Sequence, residues 1–123
     1  MARAYTVGTI ALTLKVTTKW LDNVLSHHRV AGVVQERQGI ARRVAFDGLL
    51  QLALALRLIH DLDTPTPAAL RLAAALTQTG GNHTSSSGLT ISLDLAKLRS
   101  DLESRLVEAV EMTPVPRRGR PSR

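Results

Sequence analysis

The sixteen residues DGLLQLALALRLIHDL (47–62) constrain this chain more than any other stretch. Leu49, Leu50, Leu52, Leu54, Leu56, Leu58, Ile59 and Leu62 leave a helix there with little polar face, so it has to lie at the centre of whatever forms. Asp47 is placed to cap its first turn, with Phe46 just before it to staple onto the turns that follow. The partners of that helix are set by composition. The apolar 44% of the chain is nearly all Leu, Ala and Val, while Phe, Tyr and Trp occur once each. Leu and Ala lose little in a helix, whereas strands favour aromatic and β-branched residues, so the expected class is mainly α. At 123 residues the chain supports one modest domain with a small appendage.

Ahead of the central run, Thr6 is a natural N-cap for a first helix over 6–14, with Val7, Ile10, Ala11 and Leu14 at helical spacing. Lys15 and Val16 form a tight turn. Thr17 caps a second helix to about Ser26, whose Leu21, Val24 and Leu25 face inward. Val30, Val33 and Val34, then Ile40 and Val44, bracket the polar QERQG and predict a small hairpin. After the central helix, Thr66-Pro67 marks another helix start, with Pro at the first helical position and Leu70, Leu72, Ala73 and Leu76 carrying it to about Thr79.

The segment QTGGNHTSSSG (78–88) reads as a linker. Its Asn82-His83-Thr84 matches a glycosylation acceptor, a chance match in a chain with no secretion signal. LTISL (89–93) alternates as a half-buried strand, and Asp94 caps a last helix, 95–111, striped by Leu95, Leu98, Leu102, Leu106 and Val110. Asp101 and Arg105 are spaced for an i,i+4 pair. One strand and one striped helix cannot bury themselves, so residues 89–112 are expected to pair with a second copy through Leu89, Ile91, Leu93, Leu98, Leu102 and Leu106. The expected divisions are therefore 1–79, a linker at 80–88, a strand–helix dimerisation element at 89–112 and a disordered basic tail at 113–123.

The net charge of +6 is unevenly placed. Residues 1–45 hold seven Lys and Arg against two acids, and the last ten residues hold four Arg and no acid. The segments between are slightly acidic, a distribution suited to a polyanionic partner. Absence of Cys excludes disulfides, thiolate metal sites and Cys nucleophiles. No apolar run reaches the roughly 20 residues that span a bilayer, and the N-terminus is a poor signal peptide, so a cytoplasmic protein with no membrane partner is expected. His27 and His28 are adjacent and point to different sides of a helix end, where the dipole suits them better than a metal does. No Ser/His/Asp set, phosphate loop or carboxylate pair stands out. Neither enzyme activity, metal nor cofactor is expected.

The order helix, tight turn, helix, hairpin, buried helix, Pro-started helix is that of a winged helix-turn-helix. At residue level, positions 5–76 resemble the DNA-binding domain of the MerR family. YTVGTIA resembles the family's opening Tyr-Thr-Ile-Gly-Glu-Leu-Ala, and VTTKWL its Val-Ser-x-x-Thr-Leu, with Thr17 as the capping hydroxyl and Leu21 as the buried Leu. ARRVAF stands where the family closes its wing, and LLQLALALRLIHDLDTPTPAALRLA resembles the helix pair that follows. Lys15 replaces the family's Gly in the helix–helix turn, Asn23 and Val24 replace its paired tyrosines, and no effector domain follows. Trp20, where the family has Thr, is either a lid on the wing or a groove-edge contact.

The resemblance implies a homodimeric, sequence-specific regulator of transcription that binds double-stranded DNA. Its recognition helix, about 17–26, would enter the major groove, and its wing, about 33–44, would lie on the backbone or minor groove. The expected contacts are Thr17, Thr18, Lys19 and Asn23 on the helix, with Arg37, Arg42 and Arg43 on the wing. Asp22 would accept from cytosine or orient a neighbouring Arg. Arg118-Gly119-Arg120-Pro121 resembles an AT-hook core, adding Arg118 and Arg120 as minor-groove contacts. The alternatives are an autoregulating antitoxin whose residues 89–112 hold a toxin or other protein, and an excisionase-like architectural protein of a phage or mobile element.

Overall fold

The computed structural model describes residues 3–35 and 41–112. Their order is β1 (Ala4–Thr6), α1 (Val7–Leu14), α2 (Thr18–His27), β2 (Val33–Val34), β3 (Arg43–Ala45), α3 (Phe46–Leu62), α4 (Thr66–Gln78), β4 (Asn82–Thr84), β5 (Thr90–Ser92) and α5 (Leu95–Met112). The protein is mainly helical with two small antiparallel sheets, one ordered β1-β3-β2 and the other β4-β5.

Local chemistry accounts for most helix ends. Thr6 and Thr17 take extended backbone and their hydroxyls accept from the N–H groups of Thr9 and Trp20. Asp94 does the same for Lys97 at 3.0 Å. α1 ends on Lys15, which adopts a left-handed φ of 61° and returns its N–H to Ala11 and Leu12. A β-carbon makes that conformation unfavourable, which is why glycine is usual there.

Three expectations about helix starts are corrected. α3 begins at Phe46, so Asp47 lies inside its first turn, and the N-cap position is Ala45, which makes no side-chain cap. Asp47 there meets the positive end of the helix dipole instead of closing a capping bond. Phe46, as the first helical residue, is not a staple from outside; it is half-buried, and the Arg99 guanidinium sits 5.4 Å from its ring centre. In α4, Pro65 holds the N-cap position and Pro67 follows Thr66 as the second helical residue.

Strand β1 was not expected. It pairs with β3 in the register Ala4–Ala45, Tyr5–Val44 and Thr6–Arg43, while Val33 and Val34 of β2 lie against Val44 and Arg43 on the other edge. The expected hairpin forms with β1 as a third strand; residues 36–40, with Arg37, lie outside the described residues.

Ile10, Leu21, Leu49, Leu52, Leu54, Leu76 and Leu102 are fully buried in one core around α3. Gln51, only 4% exposed, is a polar residue inside it. Its Oε1 accepts from the Ala31 N–H at 3.0 Å and its Nε2 donates to the Leu70 carbonyl at 3.1 Å. The loop after α2, the middle of α3 and α4 are thereby joined by a satisfied buried amide. Gly48 allows the same approach: a Cβ there would stand 2.5 Å from the Ala31 carbonyl oxygen and 2.8 Å from Val44 Cγ1.

The C-terminal part departs most from expectation. Residues 80–88 are not a plain linker, because β4 lies within them and pairs with β5. Thr84 and Thr90 share a hydroxyl hydrogen bond, and Ser92 donates to the Asn82 side chain. Gly81, at φ 100°, closes the ladder by accepting from the Leu93 N–H, where a Cβ would meet the Leu93 oxygen at 2.7 Å. The strand thus finds its edge within its own chain. The helix does likewise: α5 packs on α1, and Leu102 and Leu106 complete the central core. Ile91, Leu93 and Leu98 are half-buried against that core, and Leu89 is 67% exposed. Residues 89–112 are part of the main body, so an unpartnered strand and helix no longer argue for pairing with a second copy. Asp101 pairs with Lys97 at 3.4 Å, not with Arg105.

Candidate nucleic-acid interface

Thr17 sets the geometry of the site. With its oxygen accepting from Trp20, the first amides of α2 project beyond the helix with no intrahelical acceptor, beside a hydroxyl whose proton remains available to donate. From that end the helix shows solvent one continuous polar face. Thr17, Lys19, Asp22, Asn23, Ser26 and His27 border a single shallow depression with Trp20 at its margin, and Leu21, Val24 and Leu25 take the opposite side into the core. Thr18 is also exposed. The His27 ring lies 2.8 Å from the Asn23 carbonyl oxygen, and since a carbonyl only accepts, Nδ1 carries the proton in that bond. The side-chain amide of Asn23 is exposed, as a bidentate contact to adenine requires.

A second depression joins this face to the β1-β3-β2 sheet. It is bordered by Thr6, Val7 and Gly8 at the start of α1, by Asp22, and by Gln35, Ala41 and Arg42. Arg42 is half-buried there, whereas Arg43, on the central strand, is exposed between its neighbours Thr6 and Val34. Asp22 and Arg42 therefore border the same hollow, the arrangement in which a carboxylate can orient a guanidinium. Trp20 borders the α2 depression together with Asp22, and Arg42 borders the second hollow. Trp20 is half-buried on the core, with one edge at the outer face of α2.

The expected contacts Thr17, Lys19 and Asn23 thus come together on one face and Arg42 borders the adjoining hollow, while Thr18 and Arg43 are exposed but border neither depression. Arg37, Arg118 and Arg120 lie outside the described residues. Sequence reasoning did not find Thr6, Val7 and Gly8, which border the site with their helix N-terminus. The Thr6 cap was the available signal, but which element lies next to it depends on the pairing of β1 with β3. Among the described residues no group of three or more His, Asp or Glu could hold a metal ion, and no helix is long and apolar enough to cross a membrane. No protein-family model, curated protein or solved structure matches the chain.

Proposed function

We propose that this protein is a cytoplasmic, sequence-specific, double-stranded DNA-binding regulator of transcription, built as a MerR-like winged helix-turn-helix. α2 enters the major groove by its N-terminal half, with Lys19 and Asn23 on base edges and Thr17 and Thr18 at the phosphates. Arg42 and Arg43 hold the adjacent backbone or minor groove. The observation that carries this reading is the polar face of a Thr-capped helix joined by one hollow to Arg42, the residue before β3.

The protein acts as a homodimer on this reading, for a reason independent of its C-terminal helix. A ten-residue helix offering a few polar side chains specifies only a few base pairs, and two copies on successive half-sites supply operator-length discrimination.

The test is binding to a duplex selected from a random pool, followed by fluorescence anisotropy over a salt series. The double variant Arg42→Ala/Arg43→Ala is expected to lose at least tenfold in affinity and to flatten the salt slope by about two, the loss of two phosphate contacts. Its helical circular dichroism should stay unchanged. Undiminished binding by a folded double variant would overturn the assignment.

A further inference from the structure

The end of α1 with the turn after it, the second part of α3 and residues 98–105 of α5 border a groove of about 190 Å³. Its floor is apolar. Leu14 and Leu102 belong to the core, and Leu56 and Leu98 are half-buried against it. Its rim is basic: Lys15, Arg57 and Arg105 border it from three different elements, with His60 beside them and no carboxylate among its lining residues. None of these three cations has an ion-pair partner among the described residues, where the ion pair formed is Lys97–Asp101. Three like charges around one hollow repel one another, and an anion between them would relieve that cost.

We propose that this groove binds a small carboxylate with an apolar body the size of one aromatic ring. A cavity of about 150 Å³ accepts benzene, and pockets for drug-sized ligands begin at about 300 Å³, so one ring and its carboxylate match the space. The ring would cover Leu56 and Leu98. The carboxylate would accept from the Arg57 and Arg105 guanidiniums, whose paired N–H groups match its two oxygens. A bare phosphate would gain nothing from the leucine floor, and a neutral ring nothing from the rim.

Occupancy has a route to α2. Lys15 is the left-handed residue between α1 and α2, two positions before the Thr17 cap. A carboxylate attracting its ammonium group acts on the turn that aims the proposed recognition helix. This consequence rests on the DNA-binding reading and makes duplex affinity depend on the carboxylate, and by linkage the reverse.

The binding is tested without DNA, by calorimetric titration of the full chain with benzoate, benzyl alcohol and inorganic phosphate. Benzoate is expected to saturate with one site, at least tenfold tighter than either control. Arg57→Gln/Arg105→Gln should weaken benzoate at least tenfold and leave the thermal melt unmoved. Benzoate that fails to saturate, binds no better than phosphate, or binds the double variant equally well overturns the proposal. So does a double variant that loses duplex affinity when benzoate binds neither protein, because the cations then serve DNA. Saturable benzoate in a protein that binds no duplex leaves the groove assigned and removes the DNA-binding reading.

Discussion

α2 buries Leu21, Val24 and Leu25, and α5 buries Leu102, Leu106 and Ala109, yet the two helices turn different chemistry to solvent. The outer side of α2 carries Thr18, Lys19, Asn23 and Ser26 with a single acid, Asp22, which borders the same hollow as Arg42. The outer side of α5 carries Lys97 and Arg99 in its first turns, then Asp101, Glu103, Glu108 and Glu111 with Val107 and Met112 among them. An apolar stripe tells which side of a helix goes in. It does not tell what the other side meets. On the DNA-binding reading, α2 is the helix that meets the phosphate backbone, while α5 holds the core closed.

Breaking that division should cost most at Leu102, which is fully buried. Leu102→Ala is expected to lower unfolding free energy by about 2–5 kcal/mol, measured by urea denaturation. Unchanged stability would mean that α5 is an appendage after all. On the other helix, Thr17→Ala removes the cap and should cost about 1 kcal/mol in the same assay. Between them, Lys15→Gly relieves a left-handed β-carbon and should stabilise by about 0.5 kcal/mol, offset in part by glycine's greater freedom when unfolded. The smallest effect belongs to Lys97→Ala: its pair with Asp101 is exposed, and the melt should stay within experimental error.

What could be read in the sequence was what neighbours in the chain decide. Thr6, Thr17 and Asp94 cap because a side-chain oxygen reaches an amide three residues on, and each cap stands where expected. Lys15 in the turn and the polar face of α2 were legible for the same reason. β1 and β4 were not. Each is three residues long, too short for an alternating pattern, and each exists because a distant strand lies beside it. Asn82-His83-Thr84 is polar and follows two glycines, so composition favoured a linker where pairing with β5 makes a strand. With β4 hidden, β5 seemed to lack an edge, and a second copy was invoked to supply one. Gln51 was lost within an apolar run, its purpose set by Ala31 and Leu70, some twenty residues away on either side. At the site, the helical contacts could be read, whereas the hollow joining them to Arg42 depends on how the sheet meets the start of α1.

The Gln51 amide bears on how such a site would measure a duplex. By binding the main chain at Ala31, two residues before β2, it fixes the base of the sheet to α3 and α4, as the missing β-carbon of Gly48 does from the next turn. The sheet that carries Arg43 is therefore tied at its base to α3 and α4. On the DNA-binding reading the sheet side of the site is a fixed jaw that the duplex has to fit. Steps that bend or narrow at low cost would then be preferred even where no side chain reaches a base, and part of the operator would be written in stiffness instead of hydrogen bonds.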